Sequence, residues 1–81
     1  MSFFYVYILR STADSTHHYT GFTDDLARRL EEHNSGKLPN TARFRPWTIS
    51  SATAFVDKGR ALAFERYLKS GSGREFARRH L

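Results

Sequence analysis

The chain has 81 residues, 13 Lys and Arg against 8 Asp and Glu, a formal net charge of +5 and no cysteine. That length predicts a single domain over residues 1–81 with a core of modest size. The missing cysteines exclude a disulfide framework, a thiolate metal site and a cysteine nucleophile, and leave 7 Phe, 4 Tyr and 1 Trp to give the core its bulk.

Phe3 to Leu9 is an apolar run rich in aromatic and β-branched residues. It is too short for a typical helix and predicts a central strand buried on both faces. Without a basic stretch before it or a small-residue cleavage site after it, the run makes a poor signal peptide, and it ends at Arg10, too soon to span a bilayer. A cytoplasmic protein with no membrane partner is therefore expected. Ser11 to Thr16 is polar and reads as a connecting loop, with His17 and His18 solvated beside it. His18 to Phe22 reads as a second strand, antiparallel to the first, with Gly21 either bending it or admitting a close approach. Thr23 is an N-cap candidate, followed by Asp24 and Asp25 in the first turn of a helix that runs to about Ser35 and stops at Gly36. Lys37 to Pro46 holds Pro39, Asn40, Arg43 and Arg45 and reads as a basic loop. Trp47 to Val56 predicts a third strand. A second helix from about Lys58 to Ser70 turns Ala61, Phe64 and Leu68 inward and ends at Gly71, and Ser72 with Glu75 has capping-box spacing for a short last helix. The order ββαβαα predicts an α+β fold, a small three-stranded antiparallel sheet flanked by helices.

Five polar residues stand where burial is expected. Leu26, Arg29, Leu30 and His33 follow the i, i+3, i+4, i+7 spacing of one helix face, so Arg29 and His33 lie on or beside the apolar stripe while Arg28 points to solvent. Tyr7 and Tyr19 sit inside the two predicted strands and become neighbours if both fall on one face of the hairpin. Glu65 borders the apolar face of the second helix. Each has a plain structural explanation: a snorkelling arginine, a hydrogen-bonded histidine, two core tyrosines, and a surface ion pair from Glu65 to Lys69 at i+4. Taken together they also form a set able to hydrolyse a phosphodiester. A lone carboxylate can hold a divalent cation such as Mg²⁺ or Mn²⁺ that keeps most of its waters. An arginine neutralises charge on the transferring phosphoryl group. A tyrosine can accept a proton from water, although ionising it at pH 7 costs about 4 kcal/mol, a gap that a neighbouring cation or a metal-lowered water pKa has to make up. The four histidines lack zinc-ligand spacing, and Gly71-Ser72-Gly73 lacks the lysine of a phosphate loop. Charge is uneven: the three basic residues up to Gly36 are outnumbered by five acids, whereas ten basic residues face three acids from Lys37 onward. A basic half of this kind suggests a nucleic-acid partner.

Tyr5-Val6-Tyr7, Tyr19-Thr20-Gly21, Leu26-Ala27-Arg28-Arg29-Leu30 with His33, Glu65, His33-Asn34-Ser35-Gly36-Lys37 and Pro46-Trp47 form an ordered set that resembles the GIY-YIG nuclease domain. The likeness is to small single-domain bacterial members, related to the nuclease half of the excision-repair incision subunit and to homing endonucleases of that family. It implies one-metal hydrolysis of DNA, more than RNA, in repair or recombination, with target specificity coming from a protein partner. By position it implies Tyr7 as the base, Tyr19 as the group that positions water or phosphate, Arg29 as the phosphate-stabilising arginine, Glu65 as the metal ligand and His33 as the residue that orients the tyrosine. Lys37, Arg43 and Arg45 are expected to bind phosphates. Tyr5 stands where the family has its first glycine, Val6 where it has isoleucine, and Thr20 where the second tripeptide has isoleucine. Two other readings stay open: a nucleic-acid-binding module with a weak or inactive site, and a small scaffold that docks on a partner.

Overall fold

A computed structural model describes residues 2–81. Three strands, β1 (Phe4–Ser11), β2 (His18–Thr23) and β3 (Trp47–Phe55), form one sheet in the order β2-β1-β3, antiparallel throughout. The apolar run is thus the central strand, as expected of a segment with no polar face to show to water. Its alternate residues serve different cores. Val6 and Ile8 pack with Ala61 and Leu68, and Tyr7 and Leu9 pack with Trp47 on the opposite face. On β3 the register against β1 slips between Ile8 and Leu9, so that Ser51 and Ile49 face them and Ser50 is left over as a bulge.

Helix α1 (Leu26–Ser35) lies on the Tyr7 face and turns Leu26 and Leu30 into it. Its cap is Asp25, whose carboxylate accepts the Arg28 amide at 3.1 Å, rather than Thr23. Thr23 instead pairs with Tyr5 as the last residue of β2, and its hydroxyl accepts the Asp25 amide at 3.0 Å. Gly36 closes α1 with φ 82°, the left-handed conformation that favours glycine. The basic loop carries one helical turn, α2 (Pro39–Ala42), with Pro39 at its start. Helices α3 (Lys58–Leu68) and α4 (Gly71–His80) cover the Val6 face. Gly71 opens α4 instead of ending α3, and the cap is Ser70, whose hydroxyl accepts the Gly73 amide at 3.2 Å; Ser72 is already inside the helix. Ser11 completes β1 and is fully buried, donating to Phe44 O at 2.5 Å. His18 is exposed as expected, and His17, partly exposed, bonds Asp14 at 3.0 Å and stacks on Phe44 at 3.7 Å between ring centres. Among the described residues no helix is long and apolar enough to cross a membrane.

Candidate active site

Tyr7 sits at the middle of β1, paired with Gly21 on one side and Ala52 on the other. Its ring lies across Gly21. A Cβ built there would collide with the Tyr7 hydroxyl, meet its Cζ at 2.5 Å and reach the Tyr19 ring at 3.0 Å. Glycine at this position is what lets the tyrosine lie flat against its neighbour strand. Tyr7 is only 2% exposed. Its hydroxyl is 2.9 Å from His33 Nε2. The other ring nitrogen of His33, Nδ1, is 2.8 Å from Thr41 Oγ1. His33 and Thr41 are as buried as Tyr7. Tyr19 closes the group, with its ring centre 4.8 Å from that of His33 and 6.3 Å from that of Tyr7.

Electrostatics sets the charge state of the pair. Burial pushes the Tyr7 phenol well above its ordinary range, and the charges of Tyr19, Glu65 and Glu32 add to this while Arg29 opposes it. Burial also holds His33 below its usual value, helped by the Arg29 guanidinium and opposed by Glu32. At neutral pH the pair is therefore a protonated phenol beside a neutral imidazole. A neutral phenol can donate to Nε2 or accept from it, and the neutral imidazole carries one proton to share between its two partners. Arg29 by itself does not offset the desolvation of the Tyr7 phenol.

Arg29 reaches this cluster from α1, half-buried, with Nη1 3.5 Å from Glu32. Its Nε is buried with no hydrogen-bond partner. A guanidinium N–H kept from water and left unpaired is costly, and an incoming anion would satisfy it. Arg28, one residue earlier, points outward to Asp24 and Asp25. Glu65 comes from α3, and its charge is felt at Tyr7. Its carboxylate takes Lys69 Nζ at 3.3 Å. So β1, β2 and α1 bring Tyr7, Tyr19 and His33 into direct contact, and Arg29 from α1 and Glu65 from α3 lie near enough for their charges to act on Tyr7.

Among the described residues no three His, Asp or Glu side chains gather into a ready-made cation cage. The donor set suits only a hard cation held by Glu65 alone, with its remaining positions filled by water and substrate oxygens. Lys37, Arg43 and Arg45 are exposed on the segment around α2, with Arg45 lying against Gly36 and Arg43 over the Phe44 ring at 5.4 Å. They stay outside the buried cluster. Thr41 was missed by sequence reasoning. Pro39 followed by Asn-Thr-Ala was the available signal, since proline favours the first turn of a helix and would have placed Thr41 on a defined face.

Residues 3–79 match the GIY-YIG catalytic domain. A UPF0213 protein of Cupriavidus necator is 42% identical over 69 residues, 84% of this chain and 73% of that protein. The structure-specific endonuclease subunit SLX1 of Cryptococcus neoformans is 41% identical over 70 residues, 78% of this chain but 14% of that much longer protein. The solution NMR structure of a UPF0213 protein from Bacillus halodurans superposes with a TM-score of 0.54 at 36% identity, covering 95% of this chain and 82% of that one.

Proposed function

The chain belongs to the GIY-YIG catalytic domain family, a family of nucleases, and on that premise we propose that it is an endonuclease that hydrolyses DNA phosphodiesters with one divalent cation, Mg²⁺ or Mn²⁺, in the cytoplasm and in the service of repair. The observation that carries this reading is the Tyr7–His33 pair, 2.9 Å apart and buried, beside an arginine whose Nε has no partner. A purely structural tyrosine needs one acceptor. It does not need a neutral imidazole, an unpaired guanidinium and a second tyrosine around it.

The chemistry follows from the proton positions. An attacking water gives a proton to the Tyr7 oxygen as the phenolic proton passes to His33 Nε2, so the tyrosine never has to exist as a free phenolate. His33 becomes the cation, and Tyr7 ends as neutral as it began. The water oxygen bonds to phosphorus, the bond to the leaving sugar oxygen breaks, and that oxygen takes a proton from solvent. Arg29 meets the charge that gathers on the phosphoryl oxygens in its water-poor setting. Tyr19 holds the nucleophile or a phosphate oxygen against the pair. Glu65 would hold the cation, which supplies Lewis acidity at the phosphate.

The test is a nicking assay with Mg²⁺ or Mn²⁺ on duplex, branched and single-stranded DNA and RNA. Glu65→Gln is expected to abolish metal-dependent cleavage and keep nucleic-acid binding, and Arg29→Ala to lower turnover by about 10²–10³-fold. The Lys69 contact on Glu65 favours a second reading, a nucleic-acid-binding module of little activity. Retained binding without cleavage of any substrate in either metal would select it. A partner that supplies target choice belongs to both readings.

A further inference from the structure

We infer that Thr41 is a positioning residue that fixes the proton of His33 on Nδ1 and so keeps the Nε2 lone pair aimed at the Tyr7 hydroxyl. The inference rests on the nuclease reading for its consequence in catalysis, but the tautomer itself is independent of any activity.

A threonine hydroxyl can donate to an imidazole nitrogen or accept from one, and the two cases set opposite tautomers. The Tyr7 hydroxyl decides between them: among the described residues its one hydrogen-bond partner is His33 Nε2, so its hydrogen goes there and the imidazole proton is left to Nδ1. Thr41 Oγ1, 3.4 Å from Leu38 O, has an acceptor for its own hydrogen on that side. What Oγ1 offers to His33 at 2.8 Å is a lone pair, and Nδ1 must bring the proton. The result is a directed chain from Tyr7 O–H to His33, from His33 to Thr41, and from Thr41 to the Leu38 carbonyl. The reverse tautomer would put an N–H against the Tyr7 oxygen and leave no acceptor for a proton arriving from it.

Thr41 is also held more firmly than a loop hydroxyl needs to be. It is 1% exposed. Its carbonyl accepts the Trp47 indole N–H at 2.8 Å, while Trp47 is itself clamped to α1 by Asn34, which bonds both its amide, at 2.5 Å, and its carbonyl, at 3.0 Å. Helix α2 is thereby tied to α1 through Trp47, which packs beside Tyr7 and Leu9. That arrangement fixes the imidazole ring as well as its proton. It resembles the orienting partner behind a catalytic histidine in acyl transfer, where loss of the partner spoils the tautomer while the geometry survives.

The experiment compares wild type, Thr41→Val and Thr41→Ser, the first nearly the same shape without the hydroxyl and the second retaining it. Nitrogen-15 NMR of the His33 ring at pH 7.5 separates protonated from unprotonated nitrogens. Wild type and Thr41→Ser are expected to carry the proton on Nδ1, and Thr41→Val to shift toward Nε2 or a mixture. In cleavage assays Thr41→Val should lose kcat by the order of 10²-fold, the low end of what positioned acid–base groups contribute, with KM unchanged and Thr41→Ser close to wild type. A wild-type His33 protonated on Nε2, or a Thr41→Val variant that keeps the Nδ1 proton, would overturn the assignment. Wild-type kcat in a Thr41→Val variant whose tautomer has moved would overturn its bearing on the reaction. If no variant cleaves any substrate, the nuclease reading fails, and the NMR result still decides whether Thr41 sets the tautomer.

Discussion

Tyr7 and His33 make a pair whose two shifts have opposite signs and a common cause. The phenol rises and the imidazole falls because burial disfavours the charged form of each. Both shifts make stability depend on pH. An unfolded histidine titrates near 6.5 and the folded one lower. As the pH drops below about 6.5 the unfolded chain takes up its proton first, so stability falls until the folded pKa is passed. Above about pH 10 the unfolded tyrosine loses its proton first, and stability falls again. The groups that face His33 are Tyr7, Tyr19, Thr41, Arg29 and Glu32, and only the carboxylate resists the acid-side loss. Urea denaturation at pH 7.5, 5 and 10.5 should show both losses, with His33→Gln removing the acid-side contribution and Tyr7→Phe the alkaline one. Tyr7→Phe also leaves Nε2 buried without a donor, which should cost about 1–3 kcal/mol at pH 7.5. Its cleavage rate should fall by about 10²–10⁴-fold if the phenol relays the proton. Cleavage at the wild-type rate would point to a hydroxide that needs no tyrosine.

Two glycines set how closely the elements meet. At Gly21 an added Cβ would meet the Tyr7 ring, which has no room to withdraw from under α1. At Gly73 it would meet the carbonyl of Tyr67 and, at 2.8 Å, the Cα of Leu68, both backbone. Gly21→Ala should destabilise by about 1–3 kcal/mol and disturb cleavage as well, since the displaced group is Tyr7. Gly73→Ala should cost at least as much, because the backbone at the end of α3 yields less than a ring, but it should leave the Tyr7–His33 pair alone. Denaturation midpoints together with the His33 ring resonances would separate the two. The same elements show what the sequence carried. The central strand, the Leu26–Leu30 stripe and the placement of Arg29, His33 and Arg28 were legible, because periodicity reports directly which face is buried. The start of α4 was not. Ser70-Gly71-Ser72-Gly73 reads as a helix end followed by a cap two residues on, and only the close approach of Gly73 to Tyr67 shows why the glycine belongs inside the new helix. Thr41 was hidden for a related reason. A polar residue in a basic loop carries no periodic signal, and the contacts that hold it, His33 on α1 and the Trp47 indole, come from elsewhere in the chain.

At the scale of the whole molecule the question is which surface carries the net charge of +5 to a polyanion. The last helix has Arg74, Arg78 and Arg79, but Arg78 and Arg79 both lean on Glu75, at 2.6 and 3.6 Å. Arg74 and Arg78 line a cavity with Ile8, Thr20 and Tyr19, which opens on the Val6 face and reaches the β2 residue that packs beside Tyr7. Lys37, Arg43 and Arg45 are differently placed. Among the described residues none of them pairs with a carboxylate within 4.0 Å. Along the chain they flank Thr41, whose hydroxyl contacts His33 behind the Tyr7 hydroxyl. Phosphate contacts from such side chains position a nucleic acid without reading its sequence. Each neutralised phosphate contributes a slope of roughly −0.7 to −0.9 in log affinity against log salt. Replacing all three by Ala should therefore weaken binding to every sequence about equally and flatten that slope by about two to three units. The measurement is a salt titration of binding by fluorescence anisotropy, with Arg74→Ala as the control. A triple variant with the wild-type slope would move the nucleic-acid path to α4, whose cavity runs from Arg74 and Arg78 to Tyr19 on the edge strand β2.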